Sequence, residues 1–132
     1  MRTEEGNEVV VLEPVFGIAG DYLLAEYHHQ PLHTVTLRLE GDEHNVVIRL
    51  TGVELLSVEV QNFMFCYEFE AEHGGARPCI GRAKGSRMLR RLQSGKNFHG
   101  LDLNRLQHIF VLGDEALLEA VLTGDVEVVH ST

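Results

Sequence analysis

TVTLRLEGDEHNVVIRL, residues 34–50, contains two alternating runs joined by a turn, and it sets the fold class expected for this chain. From Thr34 to Glu40 apolar and polar residues alternate, which is typical of a strand with one buried face. Residues 41–45 supply turn chemistry, and the alternation resumes from Val46 to Leu50. The stretch therefore predicts a β-hairpin whose apolar face belongs to the core of the protein.

Apolar patterns predict further strands on both sides of this hairpin. They lie at residues 8–12, 54–60, 63–70, 109–112 and 125–130. The run at 63–70 is the clearest of these, since aromatic residues occupy every second position from Phe63 to Phe69. Residues 22–28 fit either a strand or a short helix.

The C-terminal third also predicts a helix. Apolar residues from Leu117 to Leu122 recur at helical spacing, Asp114 can cap the N-terminus, and Gly124 stands where a C-terminal cap belongs. The fold class expected is α+β. We predict a mostly antiparallel β sandwich or partial barrel of about six to seven strands, with one C-terminal helix and a long basic loop that contains glycines.

Length and composition set the broad class. A chain of 132 residues suits a single domain over residues 1–132. It is 44% hydrophobic and 23% charged, near the average of soluble globular proteins, and it lacks an apolar run long enough for a membrane span. An acidic N-terminal sequence and only two cysteines favour a cytoplasmic protein.

Charge is strongly segregated along the chain. Residues 73–101 carry seven Lys and Arg with no Asp or Glu, whereas the rest carries four Lys and Arg against all twenty carboxylates. The candidate binding residues are these seven cations: Arg77, Arg82, Lys84, Arg87, Arg90, Arg91 and Lys96. A segment of charge +7 on a body of −16 needs a negative partner, which is either another molecule or the body itself.

The basic segment, residues 73–100, reads as a long loop or insertion because glycines recur throughout it. Within it, residues 86–93 can form two turns of amphipathic helix, with Ser86 as the N-cap and Met88, Leu89 and Leu92 on the apolar side. Long ordered loops often bind partners or act as lids.

Known site motifs are missing from the sequence. The glycines and cations do not have the spacing of a phosphate-binding loop, and an acidic body argues against nucleic acid as a partner. His29 and His33 have helical metal-ligand spacing, but Pro31 between them interrupts a helix, so we assign no metal and no cofactor. No serine has a local activation signature, so no catalytic residue is assigned.

Two functions remain. The favoured hypothesis is a non-enzymatic interaction or binding module, in the manner of a small inhibitor or antitoxin, that uses an acidic sheet surface and the basic loop. Its partner would be a protein or a small anionic ligand, and the opposite charges of loop and body also allow a homodimer. The alternative is a small-molecule-binding or enzymatic β-barrel with the loop as a lid. Its pocket would be lined by Phe63, Phe65, Tyr67 and Phe69.

Overall fold

The computed structural model describes residues 8–18, 21–60, 67–72, 78–94, 105–114 and 116–131. These residues form ten strands and one helix, more strands than the sequence predicts. In chain order they are β1 (Glu8–Pro14), β2 (Leu23–Gln30), β3 (Thr34–Glu40), β4 (Asn45–Leu50), β5 (Val53–Val60), β6 (Tyr67–Ala71), β7 (Ile80–Ala83), α1 (Arg87–Ser94), β8 (Gln107–Leu112), β9 (Ala116–Leu122) and β10 (Val126–Ser131). The predicted α+β class and antiparallel sandwich are confirmed.

The predicted hairpin is formed by β3 and β4, which pair antiparallel with Leu37 opposite Ile48. They occupy the middle of a four-stranded sheet of order β10-β4-β3-β2. Alternate residues of β3 are buried and the others are partly exposed, so one face of this sheet is directed to the core. The segment that fits strand or helix equally well in sequence is the edge strand β2.

The second sheet has six strands in the order β5-β9-β8-β7-β1-β6. Its neighbours pair antiparallel except β1 and β6, which are parallel. The strand β8 is buried at every position from His108 to Leu112, and β9 is buried from Leu117 to Leu122. Continuous burial of this kind means that both faces of the sheet are covered.

The two faces hold different groups of buried residues. Ile109, Val111 and Leu118 pack with residues of β3 and β4, and this cluster is the core between the two sheets. Phe110 and Leu117 lie on the opposite face with residues of β1. Leu55 of β5 and Met88 and Leu92 of α1 line one groove, so α1 lies toward the β5 edge of the sheet.

The predicted C-terminal helix is wrong, because its residues form β9 in the middle of the six-stranded sheet. The prediction failed because a strand buried on both faces shows no alternation, and a short apolar run then fits a helix equally well. Gly124 serves packing and not a helix cap. A Cβ at this position would collide with the carbonyl oxygen of Thr51.

The basic segment is also more regular than predicted over its described part, residues 78–94. Residues 80–83 are strand β7, which pairs with β1 on one side and β8 on the other. Gly81 allows this central position, since a Cβ there would lie 2.8 Å from Cβ of Leu12. The helix that the sequence allows at 86–93 is present as α1, one residue further along the chain.

Candidate functional site: a basic helix above a buried polar chain

Two of the seven candidate cations are engaged by the body of the protein. Arg82 forms a salt bridge with Glu13 and donates from Nε to Oε1 of Gln107 at 2.8 Å. The Nζ atom of Lys84 lies 2.9 Å from Oε1 of Glu72, and this hydrogen bond raises the pKa of the Lys84 ammonium. Through these contacts, part of the basic segment lies on the acidic body, which is one of the two alternatives that the sequence leaves open. Arg77 and Lys96 are outside the described residues.

The other three cations, Arg87, Arg90 and Arg91, lie together on α1. All three are exposed, and their spacing of three and four residues places them on neighbouring positions of one helix surface. Arg90 donates to the carbonyl oxygen of Gly85 at the start of the helix. The side chains of Arg87 and Arg91 form no salt bridge with any carboxylate in the described part of the chain. We call these three residues the arginine face.

An apolar groove adjoins the arginine face. It has a volume of about 300 Å³ and is lined by Leu55 of β5 and by Met88, Arg91 and Leu92 of α1. Met88 and Leu92 are one helical turn apart and half-buried. Arg91 therefore borders both surfaces, with the groove on one side and the other two arginines on the other.

Four polar side chains form a hydrogen-bonded chain beneath the N-terminus of α1. Oγ of Ser86 lies 2.6 Å from Nδ1 of His108, and Nε2 of His108 lies 2.9 Å from Oε1 of Glu119. The Tyr67 hydroxyl donates to the same oxygen of Glu119 at 3.0 Å. Ser86, His108 and Glu119 are 1%, 0% and 5% exposed, and they are the buried polar residues of the described part of the chain. We call this arrangement the buried polar chain.

The direction of each proton follows from the carboxylate. With Glu119 as a carboxylate, which only accepts, and His108 as a neutral imidazole, Nε2 of His108 donates to Glu119 and Nδ1 accepts from the Ser86 hydroxyl. The oxygen of Ser86 in turn accepts from the amide of Leu89 at 3.1 Å, which is the N-cap hydrogen bond of α1. Burial, and then the charge of Glu119, raise the pKa of the Tyr67 hydroxyl well above its ordinary value, so Tyr67 remains a donor.

The order serine, histidine, carboxylate is that of an activated nucleophile with its base and orienting acid. The surroundings differ from those of an open active site. Ser86 is only 1% exposed, and its oxygen is occupied by the Leu89 amide. The amide of Arg87, next along the helix, donates to Oε2 of Glu8 at 2.7 Å. In this conformation the buried polar chain and Glu8 together hold the N-terminus of α1 on the six-stranded sheet.

The sequence predicts Ser86 as the N-cap, and this is confirmed. It does not predict the other members, because the pairing register of β8 and β9 assembles them. Phe110 pairs with Glu119, which makes His108 and Glu119 diagonal neighbours on one face. The available signal is a polar residue next to or inside an apolar run, with His108 directly before residues 109–112 and Glu119 within residues 116–122.

The aromatic residues proposed to line a pocket are only partly described. Tyr67 and Phe69 each contact Phe110 edge-on, with ring centroids 5.0 Å apart in both pairs. Both pack against the cluster on the outer face of the six-stranded sheet. Phe63 and Phe65 lie outside the described residues.

Within the described ranges, no group of three or more His, Cys, Asp or Glu side chains is placed to hold a metal ion. The one helix described there, α1, is too short to cross a membrane. Comparison with protein-family models, with curated proteins and with solved structures finds no match to this chain.

Proposed function

We propose that the protein is a non-enzymatic interaction module, similar in mode to a small inhibitor or antitoxin, and that its arginine face binds an acidic partner. The observation that carries this proposal is the contrast among the described cations. Arg82 and Lys84 are paired with carboxylates of the same chain, whereas Arg87 and Arg91 are exposed and have no such described partner. A cationic surface left in this state is available to another molecule.

The rest of the charge distribution restricts the partner. Outside residues 73–101 the chain carries a charge of −16, which repels an extended polyanion such as nucleic acid wherever it leaves the arginine face. A protein with a local acidic patch, or a small anionic ligand, can contact the three arginines without meeting this repulsion. The opposite charge of the body also attracts basic surfaces, so it supports the acidic sheet surface as a second contact and a homodimer as one possible assembly.

Energies show what the arginines can contribute. An exposed ion pair is worth about 0.2–1 kcal/mol, so three give roughly 1–3 kcal/mol. A micromolar complex needs about 8 kcal/mol. The arginine face therefore selects partners with a negatively charged surface and accelerates encounter, while most of the affinity must come from other contacts.

The test compares the wild type with R87Q/R90Q/R91Q. The probe is a fluorescent Glu-rich peptide, and binding is followed by fluorescence anisotropy as the salt concentration is raised. We expect the triple variant to lose about 5-fold to 150-fold in affinity, which corresponds to roughly 1–3 kcal/mol, and most of the salt dependence. The matched control is R49Q, which removes an exposed arginine of β4 that is paired with Glu127. Equal affinity of the triple variant and R49Q would refute the proposal.

The buried polar chain favours a second candidate, the enzymatic alternative, with Ser86 as nucleophile, His108 as base and Glu119 as orienting acid. We prefer the interaction function because Ser86 is 1% exposed. A fluorophosphonate probe separates the two. The enzymatic candidate requires labelling of Ser86 that disappears in H108Q, whereas the interaction function requires no labelling of the folded wild type. We also propose a cytoplasmic location, on the low cysteine content of the chain.

A further inference from the structure

We infer that the apolar groove beside the arginine face receives large apolar side chains from an acidic amphipathic helix of the partner protein. The inference rests on the proposed function and adds the form of the partner. Its basis is the adjacency of two surfaces. Arg91 lines the groove together with Leu55, Met88 and Leu92, and it also lies beside Arg87 and Arg90. A ligand seated in the groove is therefore within reach of all three cations.

The spacing of apolar and cationic side chains along α1 determines which partner helix fits the groove and the arginine face. Met88 and Leu92 are four residues apart, and so are Arg87 and Arg91, so apolar and cationic rows run side by side along the helix. A partner helix that carries leucines on one row and carboxylates on the next has the complementary repeat. The eight residues of α1 span about 12 Å, which corresponds to two turns of the partner.

The surface is held in place before binding. Ser86 and Glu8 occupy the first amides of α1, and the buried polar chain joins Ser86 to β8 and β9. A partner that docks on α1 does not have to order the start of this helix, and such preorganisation increases affinity.

A protein segment fits the charge pattern better than a membrane surface. A bilayer presents a broad negative plane, and the strongly acidic body on which α1 lies would be repelled by it. A single helix is narrow enough to contact the groove and the arginine face alone. Charge complementarity on one row and apolar contact on the other therefore favour a helical protein partner.

The experiment uses three fluorescent, Ala-rich peptides of about 15 residues, long enough to populate a helix. The first carries Leu at i and i+4 with a neighbouring row of Glu. The second has Ala in place of each Leu, and the third has Gln in place of each Glu. Anisotropy titrations use the wild type, Met88→Gln and Leu55→Thr. The matched control is Leu32→Gln, which removes a leucine that is 89% exposed at the β2–β3 turn. Thermal unfolding verifies that each variant is folded.

We expect the Leu and Glu peptide to bind the wild type at least about tenfold more tightly than either altered peptide. Met88→Gln and Leu55→Thr should each remove most of the preference for Leu over Ala, and Leu32→Gln should keep it. If the Leu and Ala peptides bind with equal affinity and both need the arginines, the inference about the groove is overturned while the proposed function stands. If neither Glu-containing peptide binds more tightly than the Gln peptide, both the groove inference and the proposed function are overturned.

Two further measurements test whether a second copy of the chain or a membrane binds the groove instead of a partner helix. Sedimentation velocity reports self-association, and a dimer that Met88→Gln and Leu55→Thr disrupt would make a second copy the occupant instead of a partner helix. Flotation with phosphatidylserine vesicles reports membrane binding, and vesicle binding without peptide binding would likewise overturn the inference.

Discussion

Replacing Ser86 by alanine tests whether the buried polar chain holds α1 on the sheet. The change removes the N-cap hydrogen bond to Leu89, which costs about 0.5–2 kcal/mol. It also leaves Nδ1 of His108 without its donor in a site that is 0% exposed, which costs about 1–3 kcal/mol. Together we expect a loss of roughly 1.5–5 kcal/mol in the free energy of unfolding, a large share of the stability of an ordinary domain.

The assay is urea unfolding followed by circular dichroism, with the slope m compared between variants to detect a changed unfolding mechanism. Ser94→Ala is the matched control. It makes the same substitution at the exposed end of the same helix, where the hydroxyl only donates to the carbonyl oxygen of Arg91. Such a surface change should cost less than about 0.5 kcal/mol.

A double-mutant cycle with His108→Ala completes the test. Because Ser86 and His108 share a hydrogen bond, their effects should deviate from additivity by about 0.5–3 kcal/mol. The reasoning is refuted if Ser86→Ala costs no more than Ser94→Ala, or if the cycle with His108→Ala is additive.

The remaining predictions concern Tyr67 and Gly124. The pKa of the Tyr67 hydroxyl is raised by burial and by Glu119, so the folded state favours the neutral phenol. The contribution of this phenol to stability is complete below the ordinary pKa of 10.0, where the unfolded chain also keeps its proton. Stability should therefore decline as the pH rises above about 10, and Tyr67→Phe should weaken this decline in urea titrations across alkaline pH, at a cost of about 0.5–1.5 kcal/mol at neutral pH. An unchanged alkaline decline in Tyr67→Phe would contradict this. Gly124→Ala should cost about 1–3 kcal/mol in urea unfolding at neutral pH, because its Cβ collides with the carbonyl oxygen of Thr51, and a cost below about 0.5 kcal/mol would contradict this.

The sequence predicts structure best where one face of an element is buried. In β3, buried and half-exposed positions alternate, and the hairpin could be predicted from this pattern alone. In β9, the positions from Leu117 onward are buried on both faces, so alternation is lost and the residues Leu117 to Leu122 mimic a helix. Strand β7 was not predicted for the same reason, because its residues do not alternate and they lie among the glycines and cations of the basic segment.

The candidate site divides in the same way. The arginine face is local in sequence, so the spacing of Arg87, Arg90 and Arg91 and the Ser86 cap could be predicted without knowledge of the tertiary fold. The buried polar chain is nonlocal. Ser86 and His108 are 22 residues apart, and His108 and Glu119 are 11 apart. Only the pairing register of β8 and β9 brings the last two together, and no local pattern specifies that register where both faces are apolar.

The buried polar chain costs free energy because its polar side chains are removed from water. This cost supports a positioning role of the chain toward the helix α1 above it. Well-packed apolar residues in place of a buried histidine and carboxylate are often neutral or stabilising, so stability alone does not explain His108 and Glu119. Directional hydrogen bonds do what apolar packing does not, since they fix one orientation of Ser86 and hence the start of α1. Arg87 follows Ser86 directly, and Arg90 and Arg91 follow within the next turn. A helix N-terminus held by these hydrogen bonds sets the position of all three exposed arginines, and such preorganisation is what the proposed binding of a partner helix requires.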